Sequence, residues 1–187
     1  MSTEKEFRDE LFRIIENKIT GMGYSVYNCG NKTNLVYQII INGNGDVQPD
    51  DPVNPSRGNY AFQTDILIKK GKIPIVTIET KYESLTTHDI LTYSTKAMKH
   101  KEIYPYLRYG LIVGNYGKIP NRFFIHNQGF DFAASLSYNN DNSFFDGELD
   151  GIINMIKKQI EDSEKLLKMI EEGNGAKRFS RNIEILL

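Results

Sequence analysis

Two acidic residues and one lysine in the stretch 62–81, FQTDILIKKGKIPIVTIETK, can meet at one point of a β-hairpin. Asp65 stands inside an apolar, β-branched run, where aspartate is uncommon because its short charged side chain packs poorly on a half-buried strand. Side chains alternate along a strand, so Glu79 and Lys81 emerge on one face of the second run. If the bend centres on Lys72, antiparallel pairing brings Asp65 opposite Glu79. Two carboxylates at that spacing repel each other, and a divalent cation between them makes the arrangement favourable.

At these residues the chain resembles the PD-(D/E)XK nuclease superfamily, the fold shared by many type II restriction endonucleases and several repair and recombination nucleases. The resemblance rests on Asp65, thirteen intervening residues and then Glu79-Thr80-Lys81. It extends over roughly residues 7–114 as an order of elements. Thr64 stands where the family's name implies proline. The plain alternative is a surface hairpin with a cross-strand ion pair.

The resemblance implies a magnesium site and assigns a role to each residue of the motif. Asp65, Glu79 and the backbone carbonyl of Thr80 would bind Mg²⁺, which prefers octahedral coordination by oxygen. Lys81 would orient or help to deprotonate the attacking water and stabilise the charge of the transition state. Hydrolysis of this kind leaves a 5′-phosphate and a 3′-hydroxyl.

Apolar residues at helical spacing predict an amphipathic first helix over residues 4–22, which Gly21 and Gly23 bring to an end. In the resembled family a glutamate of the first helix often completes the metal site. Glu10 matches that place best, and Glu6, one turn earlier, is the alternative. A solvated carboxylate is an equally good interpretation of Glu10, because the helix carries further acidic residues.

The following segments predict an α/β core over about residues 5–114. YSVYN and the nearly unbroken apolar run 35–41 indicate strands, the second buried on both faces. Residues 43–58 are rich in Gly, Pro and Asx and predict a long loop. With the hairpin, a second helix and a strand over 108–113, the chain contains the order helix, three strands, helix, strand. This order is the restriction-endonuclease-like core, a central mixed sheet flanked by helices.

The second helix is expected to begin at a cap on Thr86 or Thr87 and to end at Tyr104, which precedes a proline. We expect a buried stripe along it and a basic surface opposite the stripe. Because the basic surface follows the candidate site directly, contact with DNA phosphates competes with a plain solvated face. The stripe is Ile90, Leu91, Ala97 and Met98, the basic surface is Lys96, Lys99, His100 and Lys101, and the phosphate-binding candidates are Lys96, Lys99, Lys101 and Arg57.

The C-terminal extension, residues 115–187, gives weaker signals. Residues 122–127, RFFIHN, suggest a further strand, with residues 129–136 packed beneath it. Near-heptad spacing of apolar residues predicts a long helix over 148–172. That helix either joins two subunits or lies across the body as core, and the spacing favours neither.

Length and composition fit one domain over residues 1–187, with 40 % hydrophobic residues. The net charge of −1 provides no general attraction to nucleic acid, so DNA binding requires local clusters. One cysteine, Cys29, excludes an internal disulfide framework and fits a reducing compartment. No run approaches the roughly 18 apolar residues of a membrane span. We therefore expect a cytoplasmic protein without a membrane partner.

These observations predict a Mg²⁺-dependent DNA endonuclease that acts on double-stranded DNA. It would be a type II restriction endonuclease working as a homodimer, or the cleavage subunit of a heterodimeric type IIS enzyme whose larger subunit recognises the sequence. One alternative is a repair or junction-resolving nuclease of the same fold. Another is a noncatalytic interaction module that uses the C-terminal helix.

Overall fold

A mixed sheet between two layers of helices forms the fold, seen in a computed structural model that describes residues 3–138, 144, 146–180, 184 and 185. The elements in chain order are α1 (Glu4–Ile19), β1 (Ser25–Asn28), β2 (Asn34–Val36), β3 (Ile40–Ile41), β4 (Val47–Gln48), β5 (Ala61–Gln63), β6 (Ile66–Lys70), β7 (Ile73–Tyr82), α2 (Thr87–Ile103), β8 (Arg108–Gly114), α3 (Asn121–His126), β9 (Phe132–Leu136) and α4 (Asp146–Glu172).

The central sheet has five strands in the order β1-β6-β7-β8-β9. The first three are antiparallel neighbours, and β7, β8 and β9 run parallel. Gly71 makes the tight turn between β6 and β7, with a φ of 59° that glycine adopts without strain. Parallel neighbours need a crossover, which α2 provides between β7 and β8. The α/β class and the predicted order of helix, three strands, helix and strand are thus present as α1, β1, β6, β7, α2 and β8.

Alternation along the strands divides the core into two clusters, one on each face of the sheet. Ile66 and Ile68 pack with α1 and α4, whereas Leu67 between them packs with α2 and α3. On β8, Ile112 joins the first cluster and Leu111 joins the second. This period of two is expected for a strand that is buried on both faces.

The prediction of one strand over 35–41 buried on both faces is wrong, because only the two ends of this run are strands, β2 and β3, and Ile39 and Ile41 are exposed. β2 pairs with β5 in a separate two-stranded sheet, and β3 pairs with β4 in a small hairpin where Ile41 is 72 % exposed. β1 pairs directly with β6, which leaves no place for another strand between them. We call residues 34–63 the ribbon arm. The predicted loop 43–58 lies within this arm and contains β4.

The second helix starts and stops where the sequence predicted. Thr86 caps α2, and its side chain and that of Asp89 form a reciprocal capping box. The buried stripe is different from the predicted one, because Leu91 and Met98 are 45 % and 40 % exposed. The residues that are buried are Ile90, Ser94, Ala97 and His100.

The C-terminal segments complete the same layers. Residues 122–127, predicted as a strand, lie mostly in helix α3, and β9 extends the sheet beside β8. Gly110 leaves room for the ring of Phe132 on β9, because a Cβ at this position would overlap that ring. α4 begins two residues earlier than predicted, and its buried residues, among them Ile153, Ile156 and Ile160, pack into the core. No helix in the described ranges combines the length and apolar character needed to cross a membrane.

Candidate active site

Asp65 and Thr80 meet at the edge between β6 and β7. Asp65 directly precedes β6, and the pairing of Ile66 with Ile78 continues to place Asp65 opposite Glu79, as predicted. The backbone N–H and the hydroxyl of Thr80 both donate to Oδ2 of Asp65, each at 2.8 Å. The N–H and C=O of one strand residue point to the same edge. The carbonyl of Thr80 is therefore directed to the same side as the Asp65 carboxylate.

Glu79 carries a carboxylate inside the protein, since the residue is only 2 % exposed. Its Oε1 accepts a hydrogen bond of 2.6 Å from the hydroxyl of Tyr109 and forms an ion pair of 2.7 Å with Lys96. Burial raises the pKa of Glu79, Lys96 counteracts that rise, and the nearby charge of Asp65 adds to it. The two acids thus lie close enough for the charge of one to act on the other.

Lys96 is not a free phosphate ligand, contrary to the prediction, because it reaches inward from α2. Besides the ion pair with Glu79, its Nζ donates to the backbone carbonyl of Gln63 and lies 5.8 Å from the centre of the Tyr93 ring. The ammonium group of Lys96 is therefore bound by a carboxylate oxygen of Glu79 and the carbonyl oxygen of Gln63. These are the types of oxygen ligand that bind Mg²⁺ in proteins.

Lys81 emerges on the same strand face as Glu79, as predicted. Its Nζ lies 3.5 Å from a carboxylate oxygen of Asp89 and 3.6 Å from one of Glu4, and 5.5 Å from the centre of the Tyr93 ring. Burial lowers the pKa of Lys81, but Tyr93, Glu4 and Asp89 together raise it above its usual value. The amine therefore stays protonated at neutral pH.

The acids of α1 predicted for the site lie elsewhere. Glu10 forms an ion pair of 2.7 Å with Arg13, and its charge acts on Tyr138. Glu6 accepts hydrogen bonds from the Thr3 cap. Glu4 is the α1 acid that reaches the site, through Lys81. Glu4 was not predicted, because the sequence does not show that the first residue of α1 lies next to Lys81.

The other phosphate candidates divide into two groups. Lys101 is bound to Asp131 at 2.7 Å and to the carbonyl of Gly129 at 2.6 Å, so its ammonium supports the fold. Lys99 and Arg57 are exposed and line a cleft beside the site. His100, predicted on the basic surface, is fully buried, and burial lowers its pKa to about 3.

Oxygen atoms at this edge suit a hard cation, although the usual three-acid cluster is missing. Within the described ranges no group of three or more His, Cys, Asp or Glu side chains is arranged to hold a metal ion. Two carboxylates, Asp65 and Glu79, and the carbonyl of Thr80 supply oxygen donors, and Lys96 shows that a positive charge is stable beside Glu79. These residues fit Mg²⁺ provided that Lys96 leaves Glu79.

Tyr93 and Tyr109 were not predicted as parts of the site. Helical spacing of four and three places Asp89, Tyr93 and Lys96 along one stripe of α2, next to the buried stripe, and this spacing was the available signal. Tyr109 had no comparable signal. Its position follows from the parallel pairing of Thr77 with Tyr109, which a sequence does not show.

Comparison with known proteins finds no similarity: no family model matches the chain, no curated protein matches it, and no solved structure matches it. What this chain does is therefore inferred from its own residues.

Proposed function

We propose that the chain is a Mg²⁺-dependent DNA endonuclease whose site resembles that of the PD-(D/E)XK nucleases. The observation that supports this most is that Asp65 lies opposite the buried Glu79, close enough for its charge to raise the pKa of Glu79, with Lys81 two residues further along the same face of β7. A structural ion pair with Lys96 accounts for the burial of Glu79, but it does not account for the second acid, Asp65, whose nearby charge opposes the ionisation of Glu79. The helix, three strands, helix and strand order supports the same fold family.

The groups that would hold the metal are Asp65, Glu79 and the carbonyl of Thr80. When bound, Mg²⁺ polarises the scissile phosphate and lowers the pKa of a coordinated water. Asp65 is already oriented by two hydrogen bonds from Thr80, and Glu79 by the hydroxyl of Tyr109. Such preorganisation means that the carboxylates do not have to be reoriented when the cation arrives.

Lys81 acts in this proposal as a fixed positive charge rather than as a base. Its raised pKa keeps the amine protonated, so it donates hydrogen bonds and stabilises the charge that develops on the phosphate oxygens. Glu4 and Asp89 hold the ammonium in place from two sides. This role differs from the deprotonation of water that the resemblance also allows.

The test is incubation of supercoiled plasmid with the purified chain and Mg²⁺, scored for nicked and linear products. Wild type should cut, and Asp65→Asn should lose both cleavage and calorimetric Mg²⁺ binding. Lys81→Ala should lose cleavage but keep its affinity for DNA. Asp162→Asn, at a half-buried position of α4, and Lys168→Ala, at an exposed one, are the matched controls and should cut like wild type. Turnover by Lys81→Ala at the wild-type rate, or Mg²⁺ binding by Asp65→Asn, would contradict these roles.

The noncatalytic alternative loses its main support in this fold. Ile153, Ile156 and Ile160 of α4 are buried against the protein's own sheet, so this part of the apolar stripe has no face left for a partner helix. A homodimeric restriction endonuclease and the cleavage subunit of a two-subunit enzyme remain distinct proposals. Defined plasmid fragments from the chain alone support the first, and specific cleavage only after addition of a larger recognition subunit supports the second.

A further inference from the structure

A cleft of about 650 Å³ opens between the ribbon arm and the outward face of α2. Gln63 and Lys96 line it, and the same two residues meet beside Glu79. The cleft therefore borders the candidate active site. Whatever fills it lies next to the groups that would react.

One wall of the cleft is an aromatic stack. The rings of Tyr37 and Phe62 are parallel to within 8°, with their centres 3.8 Å apart, and the edge of His100 packs against Phe62 at 5.9 Å. The hydroxyl of Tyr37 donates to the carbonyl of Asn59 at 2.5 Å and fixes the ring further. Rigid aromatic surfaces of this type stack on nucleobases without regard to sequence, because every base has a π-face.

The rim of the cleft carries positive charge that the fold does not use. Arg57 is exposed and makes no hydrogen bond or ion pair within the described part of the chain. Among the residues that the structure describes, Lys99 has only an exposed pair with Glu102, at 3.6 Å, and exposed pairs of this kind are weak. In a chain with a net charge of −1, this local cluster is where a phosphate would be attracted.

A continuous duplex does not satisfy these features together. Its bases are covered by their stacked neighbours, and an aromatic wall inside a cleft reaches a base only when that base is unstacked. The volume lies within the range of about 300–1,000 Å³ that is typical of small-molecule sites. It suits a single nucleotide.

We propose that this cleft binds one unpaired nucleotide of a DNA strand, with its base against Tyr37 and its phosphate at Arg57 and Lys99. On the proposed nuclease function, the substrate is then DNA with a single-stranded or unpaired stretch, in place of the continuous duplex expected from the sequence. The bound nucleotide adjoins the scissile phosphate.

Fluorescence anisotropy in EDTA tests the cleft without any cleavage. The probes are labelled oligothymidine, a blunt duplex, and the same duplex with one unpaired base. Wild type should bind the first and third at least about tenfold tighter than the blunt duplex, and Tyr37→Leu should lose roughly fivefold to a hundredfold of that affinity. Tyr106→Leu, a half-buried tyrosine at another cavity, is the matched control and should bind like wild type.

A second pair of variants keeps the test independent of the folding of Tyr37→Leu. Arg57→Ala and Lys99→Ala alter exposed side chains and should each weaken oligothymidine binding and flatten its salt dependence by about 0.7 in log–log slope. Lys168→Ala, which has a comparable exposed pair on α4, should change neither. A labelled oligouridine of the same length tests whether an RNA strand, which offers a similar base and the same phosphate, binds as tightly as the DNA strand.

Equal affinity for blunt and unpaired DNA, or wild-type binding by both Tyr37→Leu and Arg57→Ala, would overturn the cleft assignment. Selective binding without Mg²⁺-dependent cleavage of either the plasmid or the duplex with one unpaired base would overturn the nuclease proposal and leave the cleft as a nucleotide-binding site. Cleavage of intact duplex without selective binding would support the nuclease proposal and overturn the cleft assignment.

Discussion

Replacing Lys96 by methionine tests whether Glu79 is held as a charged group inside the protein. Methionine keeps much of the volume of the lysine side chain but leaves Glu79 with Tyr109 as its remaining hydrogen-bond partner. Removal of one member of a buried ion pair costs about 3–5 kcal/mol, because the other charge stays buried without compensation. Domains of this size are stable by only about 5–15 kcal/mol, so Lys96→Met should lose a large part of that stability.

The loss should depend on pH in a defined direction. Burial already raises the pKa of Glu79, and removal of the lysine raises it further. A folded-state pKa above the unfolded value gives stability that is present at low pH and is lost as pH rises through the folded pKa. The deficit of Lys96→Met should therefore be largest near pH 8 and shrink towards pH 5, by up to about 1.4 kcal/mol per pH unit.

Urea unfolding followed by circular dichroism at four pH values measures this effect. Lys96 also depresses the pKa of His100, so Glu79 is isolated by comparing Lys96→Met with the double variant Glu79→Gln/Lys96→Met. The double variant should recover most of the stability, because it buries no unpaired charge. Lys99→Met, at the exposed pair with Glu102, is the control and should change stability by less than about 0.5 kcal/mol.

Two results would refute the reasoning. One is a loss below about 1 kcal/mol at pH 8 for Lys96→Met, which would mean that Glu79 is solvated or neutral. The other is an equal pH dependence for Lys96→Met and the double variant. If Lys96 stands where the metal binds, Mg²⁺ should also stabilise Lys96→Met more than wild type, by an amount that grows with Mg²⁺ concentration.

Three further outcomes follow from single contacts. His100→Phe should reduce the loss of folding stability between about pH 6 and pH 3. In this range the unfolded chain binds a proton at His100, whereas the buried His100, with a pKa of about 3, does not. An unchanged dependence of the unfolding free energy on pH would contradict the burial of His100. Gly110→Ala should cost roughly 1–3 kcal/mol, because its Cβ would overlap Phe132, and thermal unfolding at the wild-type temperature would contradict that contact. Thr80→Val removes one of the two hydrogen bonds from Thr80 to Asp65. It should lower the free energy of unfolding by about 0.5–1.5 kcal/mol and weaken Mg²⁺ binding in calorimetry. No change in either quantity would show that Asp65 is oriented by other contacts.

The pairing of Asp65 with Glu79 was predicted from the sequence, but the irregularity that produces it and the neighbours of the two acids were not. The turn at Gly71 pairs Lys70 with Ile73, and a register shift between Ile68 and Lys69 then moves Asp65 from opposite Ile78 to opposite Glu79. The apolar run 35–41 misled, because a short two-stranded ribbon and a central strand have the same composition. The prediction of Lys96 as a phosphate ligand failed for another reason. A lysine on a helix is usually solvated, and the ion pair of Lys96 with the buried Glu79 arises from the packing of α2 on the sheet.

The ribbon arm joins β1 to β6 without taking a place between them in the central sheet. Insertions or deletions in the hairpin of β3 and β4 should therefore leave the register of β6 and β7 unchanged, whereas Gln63, at the end of the arm, contacts Lys96 beside the acidic pair. On the proposed function, a lengthened or exchanged arm would change which form of nucleic acid is bound while the hydrolytic step stayed the same. Under that proposal, substrate choice and bond cleavage can evolve on separate segments of the chain.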